Sequence, residues 1–460
     1  MNRFVQHLAL PFLAIGLAVV STPVVALAQQ TPAFDTGMIP SPHIFKPDGE
    51  ITSNVFLVSR AGGWGEAEEK QAAALTEKGA IVVGIDYPSY VASLSKDTGD
   101  CIYMISDIES LAQQVQRSIG NSSYHPPILA GIGEGGALVL AMIAQSPAAT
   151  IDEAIAIDPT AMVPLTKELC TPAAKQPVDG GIVYGLTEGP LPAPVTIFLT
   201  PQAPADGKAH AQALEKIWAD IDLNDADGTA QDVLAQTLSD HIDAAASTDR
   251  PLGLPLTILD AKPALDTMAI IYSGDGGWRD IDSEVGAVLQ TEGIPVVGLD
   301  SLRYFWKEQT PQQVADDLER IIRNYRREWN VQHVLLIGYS FGADILPAAF
   351  DLLPADQKAR IVQMSLLAMS RQVDYEISVS GWLGVAGDGK GGDSVEDLKS
   401  VDPKIVQCIH GTDDEDDPCP SLAATGVEAV AIEGGHHFDE DYKGLADRIV
   451  AALKRRLNGR

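Results

Sequence analysis

Residues 334–353 read Val-Leu-Leu-Ile-Gly-Tyr-Ser-Phe-Gly-Ala-Asp-Ile-Leu-Pro-Ala-Ala-Phe-Asp-Leu-Leu. Four consecutive apolar residues form a buried strand, and the stretch from Ala343 has the composition of a helix. Between them lies Gly338-Tyr339-Ser340-Phe341-Gly342, a G-x-S-x-G pattern at a strand-to-helix turn. A turn this tight forces its central residue into strained dihedrals, and glycine on either side makes room for the close chain approach. The Ser340 hydroxyl is thereby presented at the sheet edge, before a helix N-terminus that favours developing negative charge.

A serine nucleophile needs a base and an acid that orients the base. In α/β folds with this turn they follow in the order serine, acid, histidine. After the apolar run Ile405–Gly411 comes Thr412-Asp413-Asp414-Glu415-Asp416-Asp417, and further on Glu433-Gly434-Gly435-His436-His437-Phe438. His436 is the expected base, with His437 as the fallback. The acid is Asp414 or Asp416. The oxyanion donors are expected from the Phe341 N–H and from Ser273-Gly274-Asp275-Gly276-Gly277-Trp278, where glycines let main-chain N–H groups approach a carbonyl. Asp275 in that loop and Asp344, one turn beyond Ser340, are candidates to hold a cationic group near the nucleophile; Trp278 is a further candidate substrate contact.

The chain repeats itself. Residues 55–86 and 269–300 share an apolar strand, a Gly-Gly-Trp turn, a helix and a second strand ending Val-Val-Gly-x-Asp. Gly62-Gly63-Trp64 precede Gly276-Gly277-Trp278 by 214 positions, and Gly84 and Asp86 precede Gly298 and Asp300 by the same interval. Further on, residues 128–136 match 335–343, and 195–200 match 405–411. One large period means two duplicated domains rather than a solenoid. Short β-rich runs alternate with helical periods in each half, which indicates a doubly wound α/β sheet. The expected fold is two tandem α/β-hydrolase-like domains, residues 29–250 and 251–460, with the boundary near Arg250 where Pro and Gly interrupt the pattern. The first is degenerate: Gly133 stands where Ser340 stands in the second. Residues 387–393, Gly-Asp-Gly-Lys-Gly-Gly-Asp, read as a flexible surface loop.

The chain has 460 residues, 45% of them hydrophobic, and a formal charge of −31. Such acidity excludes direct binding to nucleic acid and suits a cationic ligand. Arg3, the apolar run Leu8–Val20 and Ala26-Leu27-Ala28 read as a signal peptide, residues 1–28, cleaved after Ala28, with the periplasm as destination. Four cysteines in an oxidising compartment favour disulfides over a metal site, and position pairs Cys408 with Cys419 and Cys101 with Cys170. The composition calls for no cofactor.

Ser-Gly-Asp-Gly-Gly-Trp, Val-Val-Gly-Leu-Asp-Ser-Leu-Arg-Tyr-Phe-Trp, Gly-Tyr-Ser-Phe-Gly-Ala-Asp-Ile-Leu-Pro, the Cys-x10-Cys loop and Glu-Gly-Gly-His-His-Phe-Asp together resemble the bacterial virulence proteins VirJ and AcvB. The second half resembles the whole of VirJ, and the two-half layout resembles AcvB. The resemblance implies a periplasmic serine hydrolase that releases lysine from lysyl-phosphatidylglycerol at the membrane surface. It places the nucleophile on Ser340, the base on His436 and the acid on Asp414 or Asp416, with links to acid tolerance and type IV secretion. The alternative is a non-catalytic periplasmic binding or assembly factor for secretion substrates.

Overall fold

The computed structural model describes residues 34–49, 51–148, 150–247, 251–377 and 390–459. The expected signal peptide, the boundary residue Arg250 and residues 387–389 of the glycine-rich loop lie outside them.

In the first half the strands are β1 His43–Phe45, β2 Ser53–Val58, β3 Ala80–Ile85, β4 Pro127–Ile132, β5 Glu153–Ile157, a hairpin β6 Lys175–Val178 and β7 Gly181–Tyr184, then β8 Val195–Leu199 and β9 Ile221–Asp225. In the second they are β10 Leu256–Leu259, β11 Thr267–Tyr272, β12 Val296–Leu299, β13 His333–Tyr339, β14 Ile361–Leu367, the short pair β15 Gln372–Val373 and β16 Gly392–Asp393, then β17 Val406–Gly411 and β18 Glu428–Ile432. Each half folds into a seven-stranded sheet. The orders are β1-β3-β2-β4-β5-β8-β9 and β10-β12-β11-β13-β14-β17-β18, which are the same arrangement twice. The first strand of each sheet pairs antiparallel with its neighbour and the rest run parallel. Every residue of β2, β3, β4, β11, β12 and β14 is buried, as helices on both faces of a parallel sheet require. These are the duplicated α/β sheets of a hydrolase-type fold.

Shortly after the expected boundary comes β10, an edge strand that follows Pro255; proline is tolerated there because an edge position leaves its missing donor unused. One local expectation is revised. The end of the glycine-rich loop is not irregular, since Gly392-Asp393 pair with Gln372-Val373.

The repeated Gly-Gly-Trp and Val-Val-Gly-x-Asp signatures interlock. A Cβ on Gly84 would fall on the Trp64 ring, and one on Gly298 on the Trp278 ring, so each strand leaves a slot for the indole of its own half. Asp86 accepts the Trp64 N–H at 2.7 Å and the Ser89 N–H at 3.1 Å, tying the turn to the N-terminus of the next helix. Asp300 caps the equivalent helix through the Arg303 N–H at 3.0 Å.

The first half rests on connections that leave the carboxyl ends of β11, β12 and β14. Arg117, in the last turn of the helix Ile105–Ile119, stacks its guanidinium 3.7 Å from the centre of the Trp306 ring and donates to the carbonyls of Trp306 and Ile377. Tyr124 packs on the same indole, with centroids 5.1 Å apart. Disulfides join Cys101 to Cys170 and Cys408 to Cys419, as position suggested. No helix among the described residues is long and apolar enough to cross a membrane.

Candidate active site

Strand β13 ends at Tyr339, and the helix Phe341–Leu352 begins two residues later. Ser340 joins them at φ 49° and ψ −119°, a conformation that costs an L-residue about 1–3 kcal/mol. The glycines are sterically required. A Cβ on Gly338 would lie 2.6 Å from the Ala343 nitrogen, and one on Gly342 would strike the backbone at the end of β11. Gly133 adopts φ 60° and ψ −120°, so the first half keeps the same turn without a nucleophile.

His436 arrives from the connection after β18. Gly434, at φ 101°, and Gly435 carry the chain over the end of β17, where a Cβ on Gly411 would collide with both carbonyls. The imidazole Nε2 lies 3.0 Å from Ser340 Oγ, and Nδ1 lies 2.9 Å from Asp414 Oδ2. Asp414 is brought there by two main-chain bonds that bind its loop to the histidine segment: Thr412 N–H to Ile432 O at 2.8 Å and Asp413 N–H to Gly434 O at 2.9 Å. Of the two acids left open by the sequence, Asp414 therefore meets the ring. Asp416 is exposed, two residues further round the loop, and is not bonded to it. His437 Nδ1 sits 2.9 Å from the Tyr339 hydroxyl instead of reaching Ser340.

Three other expectations change. Asp344 does not face the nucleophile's surroundings. It is buried, its carboxylate accepts the Ser370 N–H at 2.6 Å and the Ser370 hydroxyl at 2.8 Å, and burial holds its pKa well above the usual range. Trp278 is not a site contact either, because its ring fills the slot over Gly298 and Gly286. The Gly274 N–H points to Asp282 Oδ2 at 3.4 Å, which leaves Asp275, Gly276 and Phe341 as the expected donors next to the serine.

A cavity of about 140 Å³ opens over Ser340 and His436, and Asp275, Asp280, Asp282 and Arg279 also line it. Asp282 is fully buried, and desolvation raises its carboxyl well above the ordinary value. Asp280 is also raised by burial, and its backbone sits at φ 44°. Asp417, behind the acid loop, accepts the Cys419 N–H at 2.7 Å; burial, helped by the charge of Asp414, pushes it up to about 6. Asp280, Asp282 and Arg279 are site residues that the motifs do not point to, although they follow directly on the Gly-Gly-Trp turn. Arg279 carried a usable signal, because the first half has Gly65 at the matching position.

Residues 266–457 match the family described as "Bacterial virulence protein (VirJ)", which bears out the expected resemblance for the second half. No curated protein matches the chain. Among solved structures, Est1E from Butyrivibrio proteoclasticus is 14% identical, with 45% of this chain and 97% of that one covered and a TM-score of 0.34. A soluble variant of monoglyceride lipase from Saccharomyces cerevisiae is 11% identical, with 45% and 92% covered and a TM-score of 0.31. A putative thioesterase from Silicibacter sp. is 18% identical, with 44% and 79% covered and a TM-score of 0.30.

Proposed function

We propose that this protein is an exported serine hydrolase that cleaves the aminoacyl ester of lysyl-phosphatidylglycerol, releasing lysine. The observation that carries the reading is the bonded series Ser340–His436–Asp414 on a strained turn at a helix N-terminus. Ser340 Oγ attacks the ester carbonyl while His436 Nε2 takes its proton. Asp414 accepts the Nδ1–H, fixing the tautomer and stabilising the imidazolium. The tetrahedral oxyanion is met by the Phe341 N–H and by the main chain at Asp275 and Gly276. The C–O bond then breaks, and His436 returns the proton to the departing glycerol oxygen. Water, deprotonated by His436, splits the lysyl-serine ester and regenerates Ser340.

The lysyl specificity rests on the resemblance to AcvB and is supported by the charge of the site. Asp275 and Asp280 offer carboxylates to an ammonium group in the cavity, in place of the Asp344 expected from sequence. Lysyl lipid makes a membrane surface less anionic, which eases approach of an acidic protein. Two disulfides suit an oxidising compartment such as the periplasm. The resemblance to VirJ and AcvB also motivates a proposed role in type IV secretion, and the retained but serine-free turn at Gly133 favours a scaffolding contribution from the first half.

The test is release of lysine and of alanine from the two aminoacyl lipids in matched vesicles. The reading expects lysine release that Ser340→Ala abolishes. It also expects Asp275→Asn and Asp280→Asn to raise KM for the lysyl lipid more than for the alanyl lipid. Lysine release that persists in folded Ser340→Ala overturns the mechanism. Equal rates for both lipids, unchanged by the aspartate substitutions, overturn the specificity.

A further inference from the structure

Arg279 stands in the loop between β11 and the helix Ile281–Thr291, and that loop lines the cavity over Ser340. Its guanidinium lies against Gly276, where a Cβ would come within 2.6 Å of a guanidinium nitrogen. From there it reaches into the other half. Nη1 is 3.2 Å from Glu109 Oε1 and 2.9 Å from Thr150 Oγ1. The Glu109 side chain is 8% exposed and that of Arg279 18%, so water screens the pair poorly. The bond therefore links the helix Ile105–Ile119 of the serine-free half to the loop that holds Gly276, one of the residues expected to donate to the oxyanion.

We propose that the first half is a positioning domain for the hydrolase site, acting through a Glu109–Thr150 clamp on Arg279 that holds the 274–280 loop in register with Ser340. The first half of the repeat has Gly65 in place of Arg279, so the arginine belongs to the half that carries the nucleophile. Arg279 and Glu109 are positioning residues, acting through the loop backbone. Misplacing an oxyanion donor by about 1 Å is enough to cost up to ~10²-fold in rate. The proposal rests on the hydrolase reading of Ser340.

The test uses the full chain and three readouts: turnover of p-nitrophenyl butyrate, the rate of Ser340 labelling by a fluorophosphonate, and amide hydrogen exchange in residues 274–282. Arg279→Met is expected to lower kcat and the labelling rate at least tenfold while KM stays within twofold, and to speed exchange in the loop. Arg279→Lys should recover most of the rate. Glu109→Gln combined with Arg279→Met should be no worse than the worse single change, because both break one clamp. If Arg279→Met does not fold, Glu109→Gln and Thr150→Val carry the same readouts. A kcat within twofold of wild type with unchanged loop exchange overturns the proposal, as do fully additive losses in the double variant. Should the wild-type protein neither turn over nor label, the hydrolase reading fails, and loop exchange alone then decides the clamp.

Discussion

Replacing Asp414 with Asn separates the two acids that sequence left open. Asp414 Oδ2 lies 2.9 Å from His436 Nδ1, so the ring proton sits on that nitrogen and the Nε2 lone pair faces Ser340 Oγ at 3.0 Å. An asparagine that donates to Nδ1 moves the ring proton to Nε2, which then cannot accept from the serine. One that turns its oxygen to the ring keeps the tautomer but loses the charge. Asp414 is only 18% exposed. Unit charges about 4 Å apart at an effective dielectric near 20 interact by roughly 4 kcal/mol, so loss of the charge alone weakens the imidazolium by up to that amount. With the tautomer effect, kcat should fall by ~10³–10⁴-fold, equivalent to about 4–5.5 kcal/mol on the barrier. Asp416→Asn, at an exposed position that salt screens, should stay within about twofold. The assay is steady-state turnover of a soluble ester at pH 8, with thermal melts to show that both variants are folded. Asp414→Asn within tenfold of wild type, or Asp416→Asn as damaging as Asp414→Asn, would refute the assignment.

Glu109 makes stability pH-dependent. Burial raises its folded-state pKa to about 7, against an ordinary carboxyl near 4.3, with Arg279 opposing the rise and Asp280 and Asp275 adding to it. A raised carboxyl contributes stability that is fully present below the ordinary value and lost as pH climbs through about 7. Wild type should therefore gain about 2 kcal/mol over Glu109→Gln as pH falls from 7.5 to 5.5, and a constant difference in denaturation free energy across that range would contradict it. The Cys408–Cys419 bridge closes a short loop that carries Asp414; converting both cysteines to alanine should cost about 2–3 kcal/mol and slow turnover, whereas unchanged melting and activity would show the bridge to be idle. Gly298→Ala places a methyl group on the Trp278 ring and should destabilise the fold by about 1–3 kcal/mol without raising KM; an unchanged melting temperature would contradict the interlock.

Sequence alone exposed the turn at Ser340 because its cause is local: an apolar strand, two glycines and a helix within a dozen residues. The duplication was equally legible, since both halves keep Gly-Gly-Trp and Val-Val-Gly-x-Asp at one interval. The tryptophan is structural rather than a substrate contact. A signature shared with a half that lacks the serine answers to a common structural need, and the need is the indole lying on Gly84 or Gly298. Asp344 stands one helical turn from Ser340, but packing decides its direction, and it closes on Ser370. The choice between Asp414 and Asp416 depends on how the acid loop is bonded to residues 432 and 434, a long-range pairing that composition does not encode. Contacts between the halves, such as Arg279 with Glu109, lie 170 residues apart in sequence and left only a departure from the repeat as a trace.

The most direct test of the account is covalent capture of the nucleophile. The intact protein is incubated with a fluorophosphonate at pH 8, digested and analysed by mass spectrometry. The account predicts a single adduct on Ser340, absent in His436→Ala and slowed by orders of magnitude in Asp414→Asn. A folded protein that takes up no label, or one labelled equally in wild type and His436→Ala, would contradict it.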